Sequence, residues 1–277
     1  MKPATKISIV RLNGDNALNE NDWVATEEPL EIRIKYHTPA GIVVKSISVT
    51  MRTPGQDKEL AIGFLYTEGI INTVTDIIEA EIVDTKNNNV IIVSLQPHCH
   101  PDIGKLERNF YTTSSCGVCG KSSIEAVKTT CNILDTKDNI TISPTLLYSL
   151  PDKLRSQQSV FESTGGLHAC SIFSLEGELL ALHEDAGRHN ALDKLIGSSL
   201  LNDKLPLNEH ILLLSGRTSF ELVQKAVMAG IKIIASVGAP SSLAVQMADE
   251  WGITLVGFLR NERCNIYTGA QRINVKL

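Results

Sequence analysis

Basic residues are not in excess: 26 Lys and Arg stand against 31 Asp and Glu, a formal net charge of −5. That balance argues against general nucleic-acid binding, so any anionic ligand has to be held by a local group of cations. Long apolar runs are missing as well. The longest, Ile211 to Leu214 and Ile231 to Val237, fall far short of the ~20 residues of a membrane helix. No secretory signal opens the chain, so its cysteines (Cys99, Cys116, Cys119, Cys131, Cys170 and Cys264) point away from a disulfide framework and toward the cytoplasm. Aromatics are few, yet 43% of the 277 residues are hydrophobic, enough for a sizeable core in one large or two ordinary domains. A soluble protein without a membrane span is expected.

Against this background one stretch carries chemistry: Ser115-Cys116-Gly117-Val118-Cys119-Gly120-Lys121-Ser122. Two thiols sit three residues apart between glycines, and Ser122 with Glu125 has the spacing of a capping box that opens a helix. A thiolate is favoured beside a cation such as Lys121 and near a helix N-terminus. Several readings stand. A structural zinc site needs four ligands, and there is no second Cys-x-x-Cys, although His98, Cys99 and His100 could complete one. A thioredoxin-like dithiol would need a βαβ context that the preceding polar segment does not show. The pair could also be a persulfide carrier, one thiolate accepting a sulfur atom and passing it on, or it could be inert; but inert cysteines belong among apolar neighbours, and these lie among Gly, Ser and Thr.

Along the rest of the chain, alternation at Leu30 to Tyr36 and Ile47 to Met51 predicts antiparallel strands. A helix is expected from Asp57 to Gly69, and strands at Ile77 to Val83 and Val90 to Leu95. This first α+β domain spans about 1–110. A connector at 111–160 holds the dithiol and two helical stretches opened by Pro144 and Pro151. From 161 to 277 the pattern becomes α/β: a hairpin at His168 to Phe173 and Leu179 to His183, a helix from Asn190 to Leu201, and helices at Ser219 to Ala229 and Ser241 to Trp251. Three apolar strands (Ile211 to Leu214, Ile231 to Val237, Thr254 to Phe258) are expected to be parallel.

Ligands of such sheets bind outside the carboxyl ends of the strands. The first of these strands runs into Ser215-Gly216-Arg217-Thr218, with Thr218 and Glu221 spaced as a capping box. The second runs into Gly238-Ala239-Pro240-Ser241, and the third into Leu259-Arg260-Asn261-Glu262-Arg263. Helix N-termini and paired arginines suit phosphate, so these loops predict a large phosphorylated ligand. The polar run His183-Glu184-Asp185-Ala186-Gly187-Arg188-His189-Asn190 is expected at the same crevice, either capping a helix or binding the ligand. His183-Glu184 lacks the spacing of a zinc deaminase signature, which disfavours that chemistry.

The Cys-Gly-Val-Cys loop, His183 to Asn190, Leu214-Ser215-Gly216-Arg217 and Arg263 to Gln271 together resemble the FdhD/NarQ family of formate dehydrogenase accessory sulfurtransferases over nearly the whole chain. The resemblance implies a cytoplasmic homodimer whose larger, three-layer α/β domain has the cytidine deaminase fold without its zinc. It implies that a cysteine desulfurase loads Cys116 as a persulfide; the neighbouring Cys119 is expected to assist or resolve. The sulfur would then pass to molybdenum-bis(molybdopterin guanine dinucleotide), or its tungsten counterpart, the guanine-nucleotide pterin cofactor destined for formate dehydrogenase. Phe258, Leu259, Arg260, Asn261, Glu262 and Arg263 match the family's cofactor-binding stretch. Ser215, Gly216, Arg217, Gly238, Ser241, His183 and Arg188 are further candidate contacts, and no resident metal is expected. Two alternatives remain, a cofactor-binding chaperone that does not use the thiols and a zinc-stabilised structural module.

Overall fold

A computed structural model describes residues 2–83, 89–101 and 138–275. The dithiol at Cys116 and Cys119, the expected Ser122–Glu125 helix start and the boundary near residue 110 lie outside the described residues.

The chain opens with a hairpin of β1 (Ala4–Asn13) and β2 (Asn16–Ala25), turned at Gly14 with φ 59°. Alternation does not reveal this hairpin, because almost all of its residues are exposed and neither face is selected to be apolar. The next unit is a four-stranded sheet in the order β4-β3-β6-β5, from β3 (Glu28–Thr38), β4 (Gly41–Arg52), β5 (Ile77–Ile82) and β6 (Val90–Leu95). As the alternation requires, β3 buries Leu30, Ile32, Ile34 and Tyr36 on one face. Helix α1 (Asp57–Thr67) covers that face with Leu60, Ala61 and Leu65.

The second sheet has the order β12-β11-β10-β9-β7-β8. Its strands are β7 (His168–Ser174), β8 (Leu179–Asp185), β9 (His210–Leu214), β10 (Ile233–Ser236), β11 (Thr254–Arg260) and β12 (Arg263–Thr268). β9, β10 and β11 are parallel, as their continuous apolar runs predict, and the remaining pairings are antiparallel. Period-2 alternation then divides each strand between two cores. Leu212 and Leu214 pack under α4 (Arg188–Leu201), α5 (Phe220–Met228) and α6 (Ser242–Glu250), whereas Ile211 and Leu213 pack against α2 (Pro144–Arg155). Each such fully buried aliphatic side chain contributes about 1.5–3 kcal/mol. The whole is an α+β fold of mixed sheets and helices. Among the described residues no helix is long and apolar enough to cross a membrane.

Several local expectations are corrected. Pro151 does not open a second helix but lies inside α2, because Pro144 already holds the first-turn position and Ser143 caps the helix by accepting from the Leu146 N–H at 3.1 Å. A short helix, α3 (Ser159–Thr164), follows. Helix α4 begins at Arg188 rather than Asn190, with Gly187 as its N-cap. The Thr218–Glu221 capping box does not form: Ser219 is the N-cap of α5, and the buried Thr218 hydroxyl has no hydrogen-bond partner among the described residues. Phe258 to Arg263 is not a free loop. It is the end of β11 and the start of β12, turned at Asn261 and Glu262 with φ 51° and 54°.

The two sheets meet where α1 crosses α4. Gly63 and Gly197 face each other, and a Cβ on Gly197 would stand 1.9 Å from the Glu59 carbonyl oxygen. The absence of both side chains lets the backbones touch. Beside this crossing Lys225 donates to both carboxylate oxygens of buried Asp193 at 2.9 and 3.0 Å, and to Thr67 Oγ1 at 2.8 Å.

Candidate functional site

The carboxyl ends of β9, β10 and β11, the start of β7 and the end of β8 all lie on one edge of the large sheet, because β7 runs antiparallel to both β8 and β9. Every described site candidate therefore falls along that edge in sheet order. Asp185 organises one end of it. Its carboxylate accepts from the N–H groups of Thr53 (3.1 Å) and Gly187 (2.8 Å) and from Asn190 Nδ2 (3.1 Å), and it pairs with buried Lys194 at 2.7 Å. The turn that presents Arg188 and His189 is thus tied both to its own strand and to the loop after β4. Neighbouring Glu184 accepts from the N–H groups of Val160 and Phe161 at 3.2 and 3.0 Å, holding the start of α3 against β8.

Arg188, His189 and Arg217 lie close enough to His168 for their charges to act on it. Burial is the main cause holding the His168 imidazole below its ordinary pKa, and the charges of Arg188, His189 and Arg217 add to it. Arg188 and Arg217 make no ion pair among the described residues, and Arg188 Nε is buried without a partner there. His189 is different: its Nε2 lies 3.2 Å from Ser219 Oγ and 3.7 Å from a Glu221 carboxylate oxygen. Burial raises the Glu221 pKa, but hydrogen bonds from His189 and Ser219 outweigh it and bring the carboxyl to about 2. Two guanidiniums without an ion-pair partner among the described residues, beside an imidazole whose pKa is lowered, give a basic edge that an anionic ligand would complement.

A cleft of about 540 Å³ opens at this edge. Its floor is His168, Ser215, Gly216 and Val237, and its far wall is Arg155, Gln158 and Phe161 from α2, α3 and the turn between them. The Arg155 guanidinium lies 4.4 Å from the Phe161 ring centroid. His168, Arg155 and Gln158 were not legible as site residues, because they lie in separate elements and share no motif.

The expected contacts differ in what they can offer. Gly216 lines the cleft, with Arg217 next to it in the chain, whereas Leu259 is wholly buried in the lower core and could reach a ligand only through its backbone. His183 is also buried; burial, with the nearby Lys194 charge, lowers its pKa to about 4. The Gly238 N–H donates to the Gly216 carbonyl (3.1 Å) and the Ser241 N–H to that of Thr218 (3.0 Å), while the Phe258 N–H donates to the Gly238 carbonyl (3.0 Å). The three loops are therefore laced to one another, and those backbone donors are already used. Ser241 caps α6 by accepting from Ala244 N–H at 3.2 Å. Arg260, Asn261, Glu262 and Arg263 are exposed on the β11–β12 hairpin, and Phe258 is partly exposed.

Residues 25–274 match the model of the FdhD/NarQ family. The chain is 49% identical to the sulfur carrier protein FdhD of Streptomyces coelicolor, covering 97% of this chain and 95% of that one. It is 46% identical to the protein of that name from Mycobacterium tuberculosis (95% of each chain) and 44% to that of Saccharolobus solfataricus (97% of each). A crystal structure described as that of a formate dehydrogenase accessory protein from Desulfotalea psychrophila has the same fold, with a TM-score of 0.75 at 24% identity. The match covers 98% of this chain and 100% of that one.

Proposed function

The chain belongs to the FdhD/NarQ family, and on that premise we propose that it is a cytoplasmic, homodimeric sulfur carrier serving formate dehydrogenase, loaded on Cys116 and discharged at the strand-end cleft. The Cys116 thiolate attacks the terminal sulfur of a cysteine desulfurase persulfide. The donor's S–S bond breaks, its electron pair leaves with the desulfurase thiolate, and a Cys116 persulfide forms. Cys119 lies three residues on and supplies the releasing thiolate: attack on Cys116 frees hydrosulfide and leaves a Cys116–Cys119 disulfide for a cellular dithiol to reduce.

The acceptor in this reading is the molybdenum-bis(molybdopterin guanine dinucleotide) cofactor, bound as substrate. The observation that carries this is the strand-end cleft floored by His168, Ser215 and Gly216, with the charges of Arg188 and Arg217 acting on His168. Two guanidiniums with no carboxylate partner among the described residues suit bidentate contacts to phosphate. A cleft of about 540 Å³ admits part of a dinucleotide, and the exposed Arg260 and Arg263 extend the basic edge beyond it.

Intact-protein mass spectrometry after incubation with a cysteine desulfurase and cysteine tests the carrier step. A gain of one sulfur atom, lost in Cys116→Ser and reversed by reductant, is expected. No added sulfur on the native chain would replace this reading by that of a cofactor-binding chaperone.

A further inference from the structure

A second cluster of ligand-type side chains lies far along the chain from the cleft residues, on the four-stranded sheet. The 3-10 turn Val74–Asp76 precedes β5, and the segment after β6 folds back over it: the Gln96 N–H donates to the Asp76 carbonyl at 2.9 Å and the Cys99 N–H to that of Gln96 at 2.9 Å. This turn brings Asp76, His98 and Cys99 together with their candidate ligand atoms all within 4.8 Å of one another. Among the described residues it is the one group of three or more such side chains so placed.

We propose that Asp76, His98 and Cys99 bind a divalent cation of the zinc class, with a water molecule as fourth ligand. The carboxylate is already aimed. Asp76 Oδ2 accepts from the N–H groups of Asn72 (2.7 Å) and Thr73 (3.0 Å), leaving Oδ1 to face His98 Nε2 at 3.1 Å. Ligands of a tetrahedral zinc ion stand about 3.3 Å apart for an N–O edge and about 3.6 Å for an N–S edge. The first edge is therefore nearly in place; the Cys99 thiol, 3.7 Å from the Asp76 carbonyl oxygen and within 4.8 Å of both other ligand atoms, would move closer to complete the others. The Asn72 and Thr73 donors are the outer hydrogen bonds that orient a ligating carboxylate. His98 is largely exposed, so an ion can enter from solvent. One thiolate, one imidazole and one carboxylate select zinc or cobalt over magnesium or calcium, which prefer oxygen alone. On binding, the metal displaces the Cys99 thiol proton to solvent. The ion would clamp the 3-10 turn to the segment leaving β6, and the site does not rest on the sulfur-carrier reading.

The test is Co2+ titration of the full chain carrying Cys116→Ser and Cys119→Ser, followed by near-ultraviolet absorption. A thiolate-to-cobalt band saturating at one equivalent and bleached by Zn2+ is expected. It should vanish in Cys99→Ser and need more than about tenfold higher Co2+ in His98→Ala. His98 is exposed and its loss leaves the turn's backbone bonds intact; metal-free circular dichroism of each variant checks the fold. No saturable band, or a band that survives Cys99→Ser, overturns the proposal.

Discussion

Replacing Gly197 by alanine sets two effects of opposite sign against each other. In an exposed helix the change stabilises by about 1 kcal/mol, because glycine loses more backbone freedom on folding. Here the added Cβ would lie 1.9 Å from the Glu59 carbonyl oxygen and 2.7 Å from the Gly63 backbone nitrogen. Both are backbone atoms, so no side chain can swing aside. Real Cβ atoms essentially never approach closer than 3.0 Å, and α1 and α4 would have to part by about 1 Å. A gap of that size forfeits roughly a quarter to a half of the attraction between the facing atoms, and overpacking of this kind costs about 1–3 kcal/mol, sometimes more. With the clash at the upper end of that range, a net loss of about 2 kcal/mol remains after the propensity gain. In a chain of this size that lowers Tm by about 4–8 °C. Urea titration and thermal melting of Gly197→Ala against the native chain measure it, and Gly63→Ala, whose Cβ would meet the Asp193 carbonyl at 1.8 Å, should behave alike. Unchanged or increased stability in either variant would refute the reasoning.

Asp138 is held at a pKa of about 2: burial raises it, but Arg272 and Lys232 more than offset that. A carboxyl lowered on folding stabilises above its unfolded pKa, so about 2 kcal/mol should be lost as pH falls from about 4 to about 2; urea titrations across that range should show a flatter profile in Asp138→Asn. His183, buried and lowered to about 4, binds its proton more readily unfolded. Stability should therefore also fall between about pH 6.5 and 4, a loss that His183→Gln removes. At the buried Lys225–Asp193 pair, Lys225→Met should cost about 3–5 kcal/mol by chemical denaturation, and Lys225→Met with Asp193→Leu should recover much of it, since an unpaired buried charge is the penalty. Arg217→Ala should weaken guanosine diphosphate binding by calorimetry about tenfold and flatten its salt dependence, while persulfide loading of Cys116 stays unchanged.

Local pattern alone determined much of this protein. Alternation in Leu30 to Tyr36 and the apolar runs at Ile211, Ile233 and Thr254 each state how many faces a strand buries, and the parallel core of the large sheet follows from that. The edge on which Ser215, Gly238 and Phe258 gather follows too, because parallel strands share one carboxyl end. Tertiary structure decided what those residues can do there. Thr218 leaves the capping role to Ser219, and the Gly238 and Ser241 N–H groups are spent lacing loop to loop, since neighbouring loops meet their backbone donors before any ligand does. The hairpin at Asn261 and Glu262 was hidden because its strands pair only once β11 is in the sheet. The cluster of His168 with Arg188 and Arg217, the wall at Arg155, and the approach of Asp76 to Cys99 each join residues distant in the chain. No spacing rule reaches across such distances; only the packed strands and helices bring those charges to one place.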